Sequence, residues 1–73
     1  MEDYRVIHRP SISSTTNLIP CTTLGRAINL AKRLAPNQDF GGEFAYIAGF
    51  NGETWTMLYG VFHGVVSEYK HPG

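Results

Sequence analysis

The sequence predicts an α+β fold, a small antiparallel sheet with one helix on one face, in the order β-α-β-β-β. Two observations lead to this prediction. Residues 24–35 repeat apolar side chains at helical spacing, and residues 44–69 alternate strand-forming runs with turn-forming pairs. One helix beside a meander of strands is typical of the α+β class.

The first strand is predicted over residues 3–9, which alternate weakly between polar and apolar side chains. Pro10 ends it, because proline has no backbone N–H to donate to a ladder. The polar run at residues 11–17 is typical of a turn-forming loop. Leu18 and Ile19, which follow the loop, are expected to pack on the core.

The helix prediction begins with a cap. Thr22 or Thr23 can serve, because a threonine hydroxyl accepts a hydrogen bond from the first unpaired N–H groups of a helix. The apolar stripe of the helix contains Ala27 and Ala31 one turn apart, and their small size lets a helix lie close to a sheet. The Pro-Asn pair at residues 36–37 is expected to end the helix.

Three further strands are predicted, over residues 44–50, 54–62 and 65–70. The glycine pair at residues 41–42 frees the backbone for the turn into the first of them. Asn51-Gly52 and His63-Gly64 supply the two turns that separate the strands. Because both residues of an Asn-Gly pair tolerate positive φ, a two-residue hairpin loop is expected at the first turn.

That loop length determines which residues pair across the hairpin. It pairs Ala48 with Trp55, Tyr46 with Met57, and Phe44 with Tyr59. The larger aromatic side chains then share one face, and Ala45, Ile47 and Leu58 share the other. A three-residue loop is the alternative, and it would change these partners.

The stretch from residue 44 to residue 69 carries more apolar surface than one helix can cover. Its aromatic residues are Phe44, Tyr46, Phe50, Trp55, Tyr59, Phe62 and Tyr69. A strand in a sheet with one solvated face should alternate apolar and polar residues, whereas this stretch has apolar residues at both odd and even positions. Because an uncovered apolar patch usually meets a partner, the sequence predicts a binding protein.

Chain length and composition limit the number of domains and the expected cellular location. A chain of 73 residues is expected to form one domain, residues 1–73, near the lower size limit for folding without disulfides. Its one cysteine, Cys21, has no second cysteine to pair with. No secretory leader and no run of about 18 apolar residues is present, so the expected location is the host cell cytoplasm, with no membrane partner.

The formal charge is zero overall but differs between the halves of the chain. Residues 1–38 hold five basic and two acidic residues, and residues 39–73 hold one basic and four acidic residues. Zero net charge argues against a general phosphate-binding protein. The polar side of the helix combines Arg26, Asn29, Lys32 and Arg33. It is interpreted either as an ordinary solvated surface or as a contact for a partner's carboxylates or phosphates.

Catalytic and metal chemistry find little support. The three histidines and Cys21 show none of the paired spacings of a zinc site. No acid or nucleophile lies at a sequence spacing from them that is typical of a catalytic motif. The sequence therefore predicts no enzyme, no metal and no cofactor, with Cys21 as a small buried residue. Sheet aromatics can stack on nucleic-acid bases, but residues 54–70 supply only Lys70 as a basic neighbour.

One group of residues resembles a known family. The set comprises the run AKRLA at residues 31–35, then Phe40, Gly42, Ile47, Asn51-Gly52 and Trp55. It is similar to a group of small phage-encoded anti-CRISPR proteins that inhibit the type I-F surveillance complex. The similarity covers most of residues 22–58 when one-residue gaps are allowed.

The resemblance implies a non-catalytic inhibitor. Such proteins dock on the guide-RNA-coating backbone subunits of the complex and sterically block hybridisation of target DNA to the guide. The residues carried over by position are Lys32 and Arg33 directly and Gln38 with a one-residue gap. The longer Ser/Thr loop and the smaller number of basic residues after Asn51 depart from the family pattern.

The predicted partner-binding residues combine the helix surface with the sheet aromatics. They are Arg26, Asn29, Lys32, Arg33, Gln38, Tyr46, Trp55 and Tyr59. The expected partners are protein subunits of a bacterial CRISPR surveillance complex, close to its guide RNA. Two alternatives remain, a small regulatory nucleic-acid-binding domain and a homo-oligomeric interaction module, for example a homodimer, that buries its spare sheet face against itself.

Overall fold

The protein is described here by a computed structural model that covers residues 3–10, 15–34, 44–62 and 64–69. These residues form one antiparallel sheet and one helix. The elements are β1 (Tyr4–Arg9), β2 (Asn17–Cys21), α1 (Leu24–Leu34), β3 (Phe44–Phe50), β4 (Trp55–Phe62) and β5 (Val65–Glu68). The strands lie in the order β2-β1-β3-β4-β5. The α+β class with one helix is confirmed, and the element order is β-β-α-β-β-β.

The strand that sequence patterns miss is β2. The predicted loop at residues 11–17 ends inside it, since Asn17 pairs with His8 of β1 (residues 11–14 lie outside the described part). Pro20 also belongs to β2, which is tolerated because β2 is an edge strand and one row of its N–H groups has no ladder partner. Ile19 packs against the core as expected, whereas Leu18 is 55% exposed on the other face.

The helix forms as its sequence predicts. The hydroxyl Oγ1 of Thr23 accepts a hydrogen bond of 3.2 Å from the backbone N–H of Arg26, so Thr23 is the N-cap. Ala27 and Ala31 are fully buried against the sheet, where α1 lies mainly over β1 and β3. The predicted stop at residues 36–37 and the glycine turn at residues 41–42 lie outside the described residues.

The core lies between α1 and the three central strands. Its largest completely buried side chains are Val6 of β1, Ile47 of β3 and Val61 of β4. The two buried helix alanines and Ala45 fill the space around them. Small residues on the helix and branched residues on the sheet therefore meet at close range, as dense packing requires.

The hairpin between β3 and β4 has a four-residue loop, so the predicted two-residue loop is wrong. The amide oxygen Oδ1 of Asn51 accepts hydrogen bonds from the backbone N–H groups of Glu53 and Thr54, each 2.9 Å long. The N–H of Asn51 also donates to the carbonyl of Thr54 at 3.1 Å. Gly52 has φ of 100°, so its positive φ was correctly anticipated. The asparagine side chain closes a longer turn than the Asn-Gly pair alone suggests.

The longer loop and a β-bulge change the predicted register. The observed pairs are Phe50 with Trp55, Gly49 with Thr56, Ala48 with Met57, Ile47 with Tyr59, and Tyr46 with Gly60. The bulge inserts Leu58 as an extra residue between the partners of Ala48 and Ile47. Because a one-residue shift moves every later side chain to the other face, Tyr59 shares the face of Ile47 instead of the face of Tyr46.

The turn between β4 and β5 is shorter. Phe62 pairs with Val65, which leaves a two-residue loop that contains Gly64 with φ of 74°. The predicted turn at this position is confirmed at Gly64, and His63 lies outside the described residues. The resulting strand is short and ends at Glu68.

Candidate functional site

The predicted site residues divide between opposite faces of the sheet. Those on α1, namely Arg26, Asn29, Lys32 and Arg33, are all exposed on the outside of the helix. Tyr46 and Trp55 lie on the face that α1 does not cover. Tyr59 packs at the margin of the core on the helix-bearing face, and Gln38 lies outside the described residues. A single flat partner surface therefore does not contact all of them together.

A groove of about 420 Å³ runs between α1 and the edge strand β2. Arg26, Asn29 and Arg33 line its helix side. Pro20 and Leu30 add apolar surface. No acidic side chain of the described residues lines the groove, so its charged groups are two guanidiniums. These can bind carboxylates or phosphates through paired N–H donors. Hereafter this site is the helix groove.

Lys32 is separated from the helix groove by the geometry of the helix. Successive residues rotate by about 100° around a helix axis, and Lys32 therefore projects well to one side of Arg33. It is exposed but is not among the residues that line the groove. The two basic residues that the resemblance carries over directly thus have different surroundings.

The other face of the sheet carries a layer of partly exposed rings. Phe44 and Tyr46 have ring centroids 5.4 Å apart, and Tyr69 meets Tyr46 edge-on at 5.9 Å. At the far end of β3, the rings of Phe50 and Trp55 are 5.2 Å apart, and Phe50 is 40% exposed. We name this layer, with Met57 between its two ring groups, the aromatic face.

Two arginines of β1 lie on the aromatic face. The guanidinium carbon of Arg5 is 3.7 Å from the ring centroid of Trp55, and that of Arg9 is 4.6 Å from the ring centroid of Phe44. Both distances are within the range of cation–π attraction. Neither arginine was predicted from the sequence as a site residue, because both lie on β1, whereas the rings of the site lie mainly on β3 and β4. The period of two in β1, with the spacing Arg5 to Arg9, is the signal that could have identified them.

Two side chains that could take part in chemistry, Cys21 and His8, are buried. The thiol of Cys21 lies in the core and donates a long hydrogen bond of 3.8 Å to the carbonyl of Ile19. His8 is only 7% exposed, and its Nε2 has no hydrogen-bond partner within the described part of the chain. Within that part, no three His, Cys, Asp or Glu side chains come together in a way that could hold a metal ion.

Comparisons with protein families, with curated proteins and with solved structures found no match to this chain. The resemblance to the anti-CRISPR group, and the function that it implies, therefore stay predictions. Within the described residues there is one helix, which has 11 residues and is not long and apolar enough to cross a membrane.

Proposed function

We propose that this chain is a non-catalytic inhibitor that binds a type I CRISPR surveillance complex at its guide-RNA-coating backbone subunits and sterically blocks hybridisation of target DNA. The observation that supports docking by the helix is the helix groove. There, three of the polar residues picked out by sequence, Arg26, Asn29 and Arg33, line one concave surface. The choice of a CRISPR complex as the target rests on the resemblance at residues 31–55.

The chemistry of the groove fits an anionic ridge on a partner. A guanidinium holds its N–H donors in a fixed fork, which favours bidentate contact with a carboxylate or a phosphate group. The apolar surface of Pro20 and Leu30 is available for a desolvated contact beside these charges. The positive charge of the helix groove would also help to orient an acidic partner during docking and would raise the association rate.

The proposal is tested by mixing the purified chain with a purified type I surveillance complex and measuring both complex formation and target-DNA binding. Reversing charge at Lys32 and Arg33 together is expected to weaken the complex at least tenfold and to restore DNA binding. The single variants locate the contact. Arg33→Glu lies in the groove and should cause most of the loss, whereas Lys32→Glu lies outside the groove and should cause the smaller part.

Three results would contradict the proposal. In the first, no complex forms with surveillance assemblies of several type I subtypes. In the second, the complex forms but survives the double reversal with unchanged affinity, so the groove is not the docking surface. In the third, the chain forms a stable dimer whose dissociation is required before any partner binds, so the exposed surfaces serve self-association. Sedimentation at several protein concentrations measures that dimer directly.

A further inference from the structure

We propose that the aromatic face is a second binding site, separate from the helix groove, and that its occupant is single-stranded nucleic acid. The two sites lie on opposite sides of the sheet, because the groove adjoins α1 and the aromatic face is the side that α1 does not cover. The inference does not depend on the CRISPR proposal. It depends on the side chains of β1, β3 and β4.

Charge is the first argument. Arg5 and Arg9 lie four residues apart on one face of β1, about 13 Å along the strand. None of the strand positions described on this face holds an acidic residue, and Glu68 of β5 pairs with Tyr59 and points to the other face. Asp3 precedes β1, and its carbonyl accepts a hydrogen bond from the N–H of Phe50, so alternation along the strand places it on the same side as Arg5. The described residues of the aromatic face therefore carry two arginines against one carboxylate, an excess of positive charge that favours an anionic chain.

The arrangement of the rings is the second argument. Each arginine lies against a ring group, Arg5 at Trp55 and Arg9 at Phe44, so a cationic and a planar group occur together at both ends of the face. Phe44 and Phe50 begin and end β3, about 20 Å apart. Bases stack both on aromatic rings and on guanidinium planes, and a backbone phosphate can meet the same guanidinium. The pattern suits a run of a few unpaired nucleotides.

Other occupants fit less well. A duplex hides the faces of its bases, so it could use the arginines but not the rings. A second copy of this chain, packed face to face, would bring four guanidiniums into one interface, where like charges repel. An acidic protein would satisfy the arginines, and it is retained as an outcome of the test.

The chain contains a single tryptophan, Trp55, and it lies on the proposed site, so its fluorescence reports binding there without a label. The test titrates the full chain with 15-nucleotide dT and rU oligomers, each also annealed to its complement, at about 50 and 200 mM salt. We expect both single strands to quench Trp55 and the duplexes to quench it much less. The difference between dT and rU indicates whether DNA or RNA is preferred.

Variants connect the signal to residues. Arg5→Gln with Arg9→Gln should reduce the salt dependence of affinity by about 1.4 log units per log unit of salt, the value for two phosphate contacts on a single strand. Phe44→Leu should weaken binding roughly 5- to 150-fold, the usual range for loss of one stacked base. Arg26→Gln, on the helix groove, is the matched control and should leave quenching unchanged. Circular dichroism verifies that each variant folds.

The proposal is overturned if neither oligomer quenches Trp55 at about 50 mM salt, or if duplexes bind as tightly as single strands. It is also overturned if Arg26→Gln lowers affinity as much as the Arg5 and Arg9 changes do. Quenching by an acidic polypeptide such as polyglutamate, at equal or higher affinity than by dT, would assign the face to an acidic protein instead. Loss of affinity in Arg26→Gln would move nucleic-acid binding to the helix groove. The other results concern the aromatic face alone, so the two proposals can fail separately.

Discussion

Shortening Ile47 should show how much of the stability of this fold depends on the contact between its helix and its sheet. Ile47 is completely buried in the middle of β3, with β1 and β4 on its two sides and α1 above it. Pairing with β1 on one side and with β4 on the other limits how far its neighbours can move to fill a void. We therefore expect Ile47→Ala to cost about 4 kcal/mol, in the upper half of the usual range for this change. Ile47→Val, which removes one methyl group, should cost about 1 kcal/mol.

These costs are large compared with the total stability of so small a chain. A 73-residue domain has a free energy of unfolding of roughly 4 to 11 kcal/mol, so Ile47→Ala removes a third or more of it. The measurement is urea unfolding followed by circular dichroism. With a slope of about 1 kcal/mol per M for a chain this small, Ile47→Val should lower the midpoint by about 1 M.

Leu18→Ala is the matched control, because it removes the same number of carbon atoms at a position that is 55% exposed. Its expected cost is about 1 kcal/mol, since only about half of the side chain leaves water on folding. If Leu18→Ala destabilises the protein as much as Ile47→Ala, or if Ile47→Ala leaves the urea midpoint unchanged, the packing of α1 on the sheet is not as described.

The remaining predictions are also read from urea unfolding. Thr23→Ala should lower the free energy of unfolding by about 1 kcal/mol through loss of the helix cap, and Thr22→Ala should change it by less than half as much. Gly25→Ala should raise it by about 0.5 to 1 kcal/mol, because nothing lies within 4 Å of the added methyl group, and a loss would show that the helix start is wrong. Asn51→Ala should lower it by about 1 to 2 kcal/mol, whereas Asn51→Asp keeps an acceptor oxygen and should stay within about 0.5 kcal/mol of the parent. His8→Leu should raise it by about 1 kcal/mol by removing a buried nitrogen that has no hydrogen-bond partner among the described residues, and a loss of that size would mean that Nε2 has a partner elsewhere in the chain.

The helix was the element most fully predictable from sequence, because its signals are local. A threonine cap, an apolar stripe and two small residues one turn apart all lie within a dozen positions and require no knowledge of the partner strands. The observed helix, Leu24–Leu34, starts at the predicted residue, and its two alanines are buried as expected. The length of the helix limits how much of the sheet it can cover, so an uncovered sheet face could also be predicted from local signals.

The register was not predictable, because it depends on one hydrogen-bonded side chain and one inserted residue. Asn51 closes the loop with its own amide oxygen, and Leu58 enters the ladder as a bulge. The odd-numbered positions from Trp55 to Val61 are all apolar, so a strand without a bulge would place them on one face. With the bulge, Trp55 and Met57 remain on the aromatic face, while Tyr59 and Val61 turn towards the core.

The candidate site was predictable in parts. The basic side of α1 follows from helical spacing, and three of its residues do line one groove. The pairing of Arg5 with Trp55 joins residues 50 positions apart, and it requires β1 to lie beside β3 and next but one to β4. Sequence patterns contain strand positions but not strand order, so this contact could be found only in three dimensions.

Pro20 has a consequence for how this protein behaves at high concentration. It occupies one outer strand of the sheet, where its nitrogen has no hydrogen to offer to an incoming strand from another molecule. The opposite outer strand, β5, is only four residues long. Both borders are therefore poor templates for lateral growth, which is how many natural sheets avoid fibre formation. With its edges protected in this way, the sheet can leave its aromatic side exposed without joining the sheets of neighbouring molecules edge to edge.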